Sequence, residues 1–131
     1  MSKGNVFISG ASRGIGNSIA YHFAENDYVV VGTSRNEFEF DNKIKNLIPV
    51  KLDVTSREDI QNCFNDLKTK NLLPDILINN AGITSDQIFL RMKDEEWDKV
   101  IDTNLNGVFN LSKIFVKNMI KNKKGRIINI S

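Results

Sequence analysis

Apolar residues fall along this chain in two rhythms. Short unbroken runs, Val6-Phe7-Ile8, Tyr28-Val29-Val30-Val31 and Ile76-Leu77-Ile78, alternate with longer stretches in which apolar positions recur every three or four residues. The first rhythm predicts strands covered on both faces, the second amphipathic helices. In chain order the pattern predicts a strand over 6–9, a helix over 14–26, a strand over 28–33 and a short helix over 37–47. A strand over 49–52 ends at Asp53, and a helix capped by Thr55 or Ser56 runs to about 71, with Glu58 and Asp59 in its first turn where acids suit the helix dipole. A strand over 75–79, a loop over 81–92, a long helical region over 94–122 and a strand over 126–130 complete the chain. Ile15, Ile19, Ala20 and Phe23 share one face of the first helix.

Alternating strands and helices predict an α/β fold: a Rossmann-like, doubly wound parallel sheet with right-handed crossovers. Ligands of such sheets bind beyond the carboxyl ends of the strands. Those ends carry Gly10, Thr33-Ser34-Arg35, Asp53-Val54 and Asn79-Asn80-Ala81-Gly82, so polar or glycine residues from separate segments converge on one crevice. The first end is the most specific. Gly10-Ala11-Ser12-Arg13-Gly14-Ile15-Gly16 comes after a β-branched run and opens a helix. Glycines there let the backbone turn tightly and approach a ligand, and the free N–H groups of the helix start favour a phosphate. A helix start that merely needs small residues would also explain the glycines. The strand before them and the helix after them favour the nucleotide site.

Composition narrows the function classes. The 131 residues are 40% hydrophobic and 26% charged, with net charge +2, which is ordinary for a globular domain and offers no argument for nucleic acid. Positive charge is local, in Lys117, Lys121, Lys123, Lys124 and Arg126, either a solvated helix end or a patch for an acidic partner. Cys63 is the only cysteine and falls on the apolar face of a helix; His22 is the only histidine. They give no metal cluster and no Cys–His pair. No apolar run approaches the ~18 residues of a membrane span and no signal peptide is visible, so a cytoplasmic location is expected.

Cofactor choice turns on the second strand's end. A carboxylate there would bind the ribose 2′-hydroxyl of NAD. The chain reads Thr33-Ser34-Arg35-Asn36, with no acid until Glu37. Arg35 and Arg13 suit a 2′-phosphate, so NADP(H) is the expected cofactor.

With Ser9-Gly10-Ala11-Ser12-Arg13-Gly14-Ile15-Gly16, Asp53-Val54 and Asn79-Asn80-Ala81-Gly82 together, the whole chain resembles the short-chain dehydrogenase/reductase family. The stretch from Asn80 through Thr84, Leu90-Arg91-Met92-Lys93-Asp94-Glu95-Glu96-Trp97 and Thr103-Asn104-Leu105 is similar to the bacterial 3-oxoacyl-[acyl-carrier-protein] reductases within it. The resemblance implies that Gly10, Ala11, Ser12, Arg13, Gly14, Ile15 and Gly16 meet the cofactor phosphates. It places Arg35 at the adenosine phosphate, Asp53 and Val54 at adenine, and Asn80, Ala81 and Gly82 on the ribose and nicotinamide side. Asn104 matches the family's catalytic asparagine, and also reads as a helix-kink residue. The 121–124 run matches a region that meets the acidic carrier protein. Ser9 stands where threonine is usual and keeps the hydroxyl.

Family chemistry also needs a serine, a tyrosine and a lysine four residues after it. Ser131 matches the position just before that serine; Tyr21 and Tyr28 lie in the first helix and second strand, and no Tyr-x-x-x-Lys occurs. The expectation is therefore the N-terminal dinucleotide-binding portion, 1–131, of a single domain about twice this length, truncated after the fifth strand and inactive alone. The parent would reduce an acyl-carrier-protein-bound substrate in fatty acid biosynthesis and, full length, form a homotetramer. The alternatives are a stand-alone NADP-binding or assembly module, since the 94–122 region is apolar on more than one face, and a short-chain reductase of another carbonyl or alcohol. The exposed edge this leaves implies marginal stability.

Overall fold

The structure is a computed structural model that describes residues 2–83 and 87–131; Thr84, in the stretch carrying the resemblance, lies outside the described residues. Five parallel strands form one sheet: β1 (Asn5–Ser9), β2 (Val29–Ser34), β3 (Leu47–Lys51), β4 (Ile76–Asn79) and β5 (Arg126–Asn129). Their order is β3-β2-β1-β4-β5, with Ser9 beside Thr33, Ile8 beside Ile78 and Asn79 beside Asn129. The chain thus builds outward from β1 to β3, then crosses back to place β4 on β1's other side. This reversal is the switch point at which doubly wound sheets bind ligands.

Helices cover both faces of β1, β2 and β4, which is why those strands read as unbroken apolar runs. Val6, Ile8, Val30 and Ile78 pack with Ala20 and Ala24 of α1 (Gly14–Glu25). Phe7, Val31 and Leu77 pack with Leu67 of α2 (Arg57–Thr69) and with Leu111 and Phe115 of α4 (Gly107–Lys121). The Phe7 and Phe115 rings meet at 4.9 Å, tilted by 51°. Ser56 caps α2, its hydroxyl accepting from the Asp59 N–H at 3.1 Å.

Two local expectations fail, each for a physical reason. Residues 37–47 contain no helix. Phe38 and Phe40 lie two positions apart, a spacing that puts both on one side only in extended backbone. Both join the α1-side core, with the Phe40 ring edge-on to Tyr21 at 5.8 Å, and Asp41 then caps its own turn by accepting from the Lys43 N–H. Ile15 is 63% exposed, because close packing of Gly16 turns the helix's first apolar position outward. The 94–122 region is helical as the pattern predicts, in three contiguous pieces, α3 (Asp94–Ile101), a π-helical turn (Asp102–Asn106) and α4. Strand bounds otherwise differ from the sequence pattern by one or two residues.

Candidate functional site

The carboxyl ends of β1 to β4 converge on a crevice of about 500 Å³. Its first wall is the glycine turn. Gly10 has φ +71°, and a Cβ there would stand 2.9 Å from the Ala81 Cα, so the backbones leaving β1 and β4 touch. A Cβ on Gly16 would fall on the Gly10 carbonyl oxygen, which seats α1 directly against the turn. Gly14, at φ +60°, faces open space. Helix α1 begins behind Arg13 with no capping side chain and no acid in its first turn, whereas α2 has both. The first N–H groups of α1 are therefore free to meet an anion.

Hydrogen bonds stitch the β1 and β4 ends together. The Ser9 hydroxyl accepts from the N–H of Asn80 at 3.1 Å and of Ala81 at 3.0 Å, and the Asn80 side-chain amide donates to the Gly10 carbonyl at 2.9 Å. Asn79 works on the other side of β4, donating to Ser112 of α4 at 3.2 Å and to the Asn129 side chain of β5 at 2.9 Å. Asn104 fixes the backbone beyond Gly82. From the π-helical turn its amide pairs with Ile83, accepting from the backbone N–H at 2.8 Å and donating to the C=O at 2.9 Å. A π turn of this kind often marks a functional position.

Charge is concentrated on the β2–β3 side, where Arg13, Arg35, Glu37 and Asp53 line the crevice. Asp53 Oδ1 accepts from the Thr55 hydroxyl at 2.7 Å and the Thr55 N–H at 2.9 Å. The hydroxyl bond chiefly holds the Asp53 carboxyl below its ordinary range, helped by the N–H and by the Arg35 charge against a partial burial that opposes them. Thr33 lines the same side; it is buried, and its hydroxyl oxygen has no hydrogen-bond partner.

Of the residues singled out from the sequence, the crevice gathers Gly10, Ser12, Arg13, Gly14, Arg35, Asp53, Val54, Asn80, Ala81 and Gly82. Ala11 is buried behind it, its N–H donating to the Thr33 carbonyl at 2.8 Å; Ile15 points away, and Gly16 supports the turn from beneath. Asn104 holds the crevice through Ile83 rather than lining it. Sequence reasoning missed Phe38, Leu52, Ile83 and Thr103 as lining residues. Only the extended path after β2 delivers Phe38, and only the π turn delivers Thr103. The basic cluster divides: Lys117 and Lys121 line a groove of about 720 Å³ between α2 and α4, while Lys123, Lys124 and Arg126 border a hollow beside β5. The α2–α4 groove receives no residue from the glycine turn or the strand ends. Among the described residues, no group of three His, Cys, Asp or Glu could hold a metal, and no helix is long and apolar enough to cross a membrane. Cys63 is half-buried, and burial first, with Asp66 and Asp59 adding, pushes its thiol up to about 11.

The chain is similar to 3-oxoacyl-[acyl-carrier-protein] reductase FabG of Vibrio cholerae, 41% identical over 129 residues, and of Buchnera aphidicola, 43% identical over 135 residues. These alignments take in 95% and 98% of the chain but 53% and 55% of the relatives, so the chain spans about half their length. Among solved structures it is similar to a short chain dehydrogenase from Leptospira borgpetersenii with bound NAD+, with TM-score 0.91 and 32% identity over 98% of this chain and 51% of that one. ElxO with NADP bound gives TM-score 0.89 and 38% identity over 100% of this chain and 56% of that one. The model of the short chain dehydrogenase family matches residues 4–131. In sequence and in the sheet it builds, this chain belongs to the short chain dehydrogenase family, a family of oxidoreductases.

Proposed function

We propose that residues 1–131 are the N-terminal, dinucleotide-binding portion of a single Rossmann-like domain, in an enzyme that reduces a 3-oxoacyl-[acyl-carrier-protein] thioester to its 3-hydroxyacyl form with NADPH. The observation that carries this reading is the crevice itself, where a glycine turn, two arginines and the 80–82 backbone meet at the switch point. NADPH, when bound, supplies a hydride. The donor set fits it: the open side of Gly14 and the uncapped start of α1 suit a pyrophosphate. Arg35 and Arg13 suit the 2′-phosphate, and the end of β2 carries no carboxylate before Glu37. Asp53 and Val54 would flank adenine, with Asn80, Ala81 and Gly82 along the ribose and nicotinamide. Asn104 would hold that wall in place and, by resemblance, serve the catalytic centre. The carrier-protein substrate, fatty acid synthesis, a homotetramer and a cytoplasmic location are carried over from the resemblance to the reductases.

That chemistry also calls for a tyrosine–lysine pair, and these 131 residues hold no Tyr-x-x-x-Lys. The reading is therefore of a chain that binds cofactor and does not turn over by itself. Titration of the purified chain with NADPH and NADH by calorimetry tests the first half. NADPH should bind more tightly, and Arg35→Ala should weaken NADPH roughly tenfold while sparing NADH, the usual scale of a lost charge-assisted bond. Equal affinity for both would overturn the NADP assignment. Turnover of NADPH with acetoacetyl-CoA near the rate of a full-length reductase would overturn the second half. Exposed Phe109 and Ile120 on α4 favour one other reading, an assembly module that binds NADP without catalysis.

A further inference from the structure

The groove between α2 and α4 is shaped and charged in a way that the crevice does not account for. Helix α2 leads from β3 to β4 and α4 from β4 to β5, and the strands are parallel, so the two helices run the same way. The Arg57 Nε–H donates to the Asn110 side-chain oxygen at 3.2 Å and ties the helices together near their starts. From Arg57 to Lys68 on α2, and from Asn110 to Lys121 on α4, the chain advances eleven residues, about 16 Å of helix. The groove is therefore a straight trough, with the Arg57–Asn110 tie at one end and Lys68 and Lys121 level with each other at the other.

Its ends differ in chemistry. Phe109, Ile60, Ile114 and Phe64 line it within two turns of the tie. Ile60, Phe64 and Ile114 rest on the core, while Phe109 is 55% exposed with the Lys113 ammonium 5.6 Å from its ring centre. Lys68, Lys117 and Lys121 crowd the far end. No carboxylate lines the groove or pairs with these three lysines among the described residues; Asp66 of α2 is taken by Lys70 at 3.0 Å. The helix dipole favours Lys68 and Lys121 in their last turns. It does not explain the row Lys113, Lys117 and Lys121, whose like charges repel at a spacing of four. An anion from outside would relieve that repulsion.

We infer that the α2–α4 groove is a binding site for a single-chain amphiphile with an anionic head, a phosphate or a carboxylate. Its chain would lie along Phe64, Ile114 and Phe109, and its head among Lys68, Lys117 and Lys121. A volume of about 720 Å³ is in the range of small-molecule sites. Lysines gather such a head as mobile point charges. Cations concentrated at one end suit one head group better than an acidic helix, which would carry charge along the whole trough. The site shares no residue with the crevice, so it stands or falls apart from the dinucleotide reading.

The test titrates the full chain, labelled with nitrogen-15, with dodecyl phosphate, dodecanoate and neutral dodecyl maltoside, each below its micellar concentration, and with inorganic phosphate. Amide shifts locate binding and calorimetry measures it. The anionic amphiphiles should shift the amides of Ile60, Phe64, Asn110 and Ile114 and leave those of Gly10 and Ala81 in place. Maltoside and inorganic phosphate should each bind at least about tenfold more weakly. Tighter binding of dodecyl phosphate than of dodecanoate would identify a phosphate head, and the reverse a carboxylate. Lys117→Gln and Lys121→Gln together should weaken both anions about tenfold, with a urea midpoint no lower than the parent's, and Phe109→Ser should weaken them to a similar extent. Absence of binding, maltoside binding as tightly as the anions, shifts confined to other surfaces, or variants that bind like the parent would each overturn the inference. Self-association of the chain that the double lysine variant disperses would assign the groove to a second copy and overturn it as well.

Discussion

Asp53 shows how one side chain can be tuned before any ligand arrives. Two bonds from Thr55 and the nearby Arg35 charge favour its carboxylate in the folded chain. Its folded pKa lies below the unfolded value of about 3.9, so the fold gains from ionised Asp53 above that value and loses the gain as the pH falls through the lower folded one. Thr55→Val, which removes the leading cause, should therefore shrink the fall in urea midpoint between pH 6 and pH 3; an unchanged fall would show that Thr55 does not hold the carboxylate. Asp53, Arg35, Asn80 and the glycines were legible in the sequence because strand ends are where polar residues and glycine interrupt apolar runs. Thr33 was not legible as an unpaired group. That property depends on register and on what the neighbouring hydroxyls already do, neither of which is written in the local pattern.

Among the elements, α1 and the turn before it form a unit whose glycines play different parts. A Cβ on Gly16 meets the Gly10 carbonyl, so α1 would have to move off the turn; a Cβ on Gly14 meets nothing and incurs only the strain of φ +60°. Gly14→Ala should cost about 1 kcal/mol, and Gly16→Ala should cost more, up to about 3 kcal/mol, while also weakening NADPH. Urea unfolding of the two variants checks the ranking, and the reverse order would contradict this packing. Helices and strands with a single periodicity read correctly from the pattern. The 37–47 segment did not, because Glu37, Phe38, Glu39 and Phe40 alternate polar with apolar in a stretch short enough to pass for one helical turn. The π turn was hidden as well, since one extra residue in a helix leaves the apolar spacing on either side intact.

For the molecule as a whole, the exposed part is the β5 side. Every residue of β5 is exposed, Ile127 and Ile128 included, and β5 pairs only with β4 among the described strands. On α4, Ile120 is 71% exposed, beside the hollow that β5 borders. Free strand edges and apolar patches of this kind invite self-association. The chain produced alone should be marginally stable. A cooperative, monomeric melt above ~60 °C, hot for a mesophilic domain, would contradict this.

The position of β1 at the centre of the sheet also has a consequence in time. That strand leaves the ribosome before the other strands of the sheet, yet it needs β2 on one side and β4 on the other. After β2 has paired, Ile8 must still wait for Ile78, and the Ser9 hydroxyl for the amides of Asn80 and Ala81. Parallel pairings across such separations close large loops before they gain contacts, and they form slowly. The glycine turn is therefore made before the strands that flank it and held on both sides only after β4 has docked, so the crevice takes its shape only once that pairing is complete.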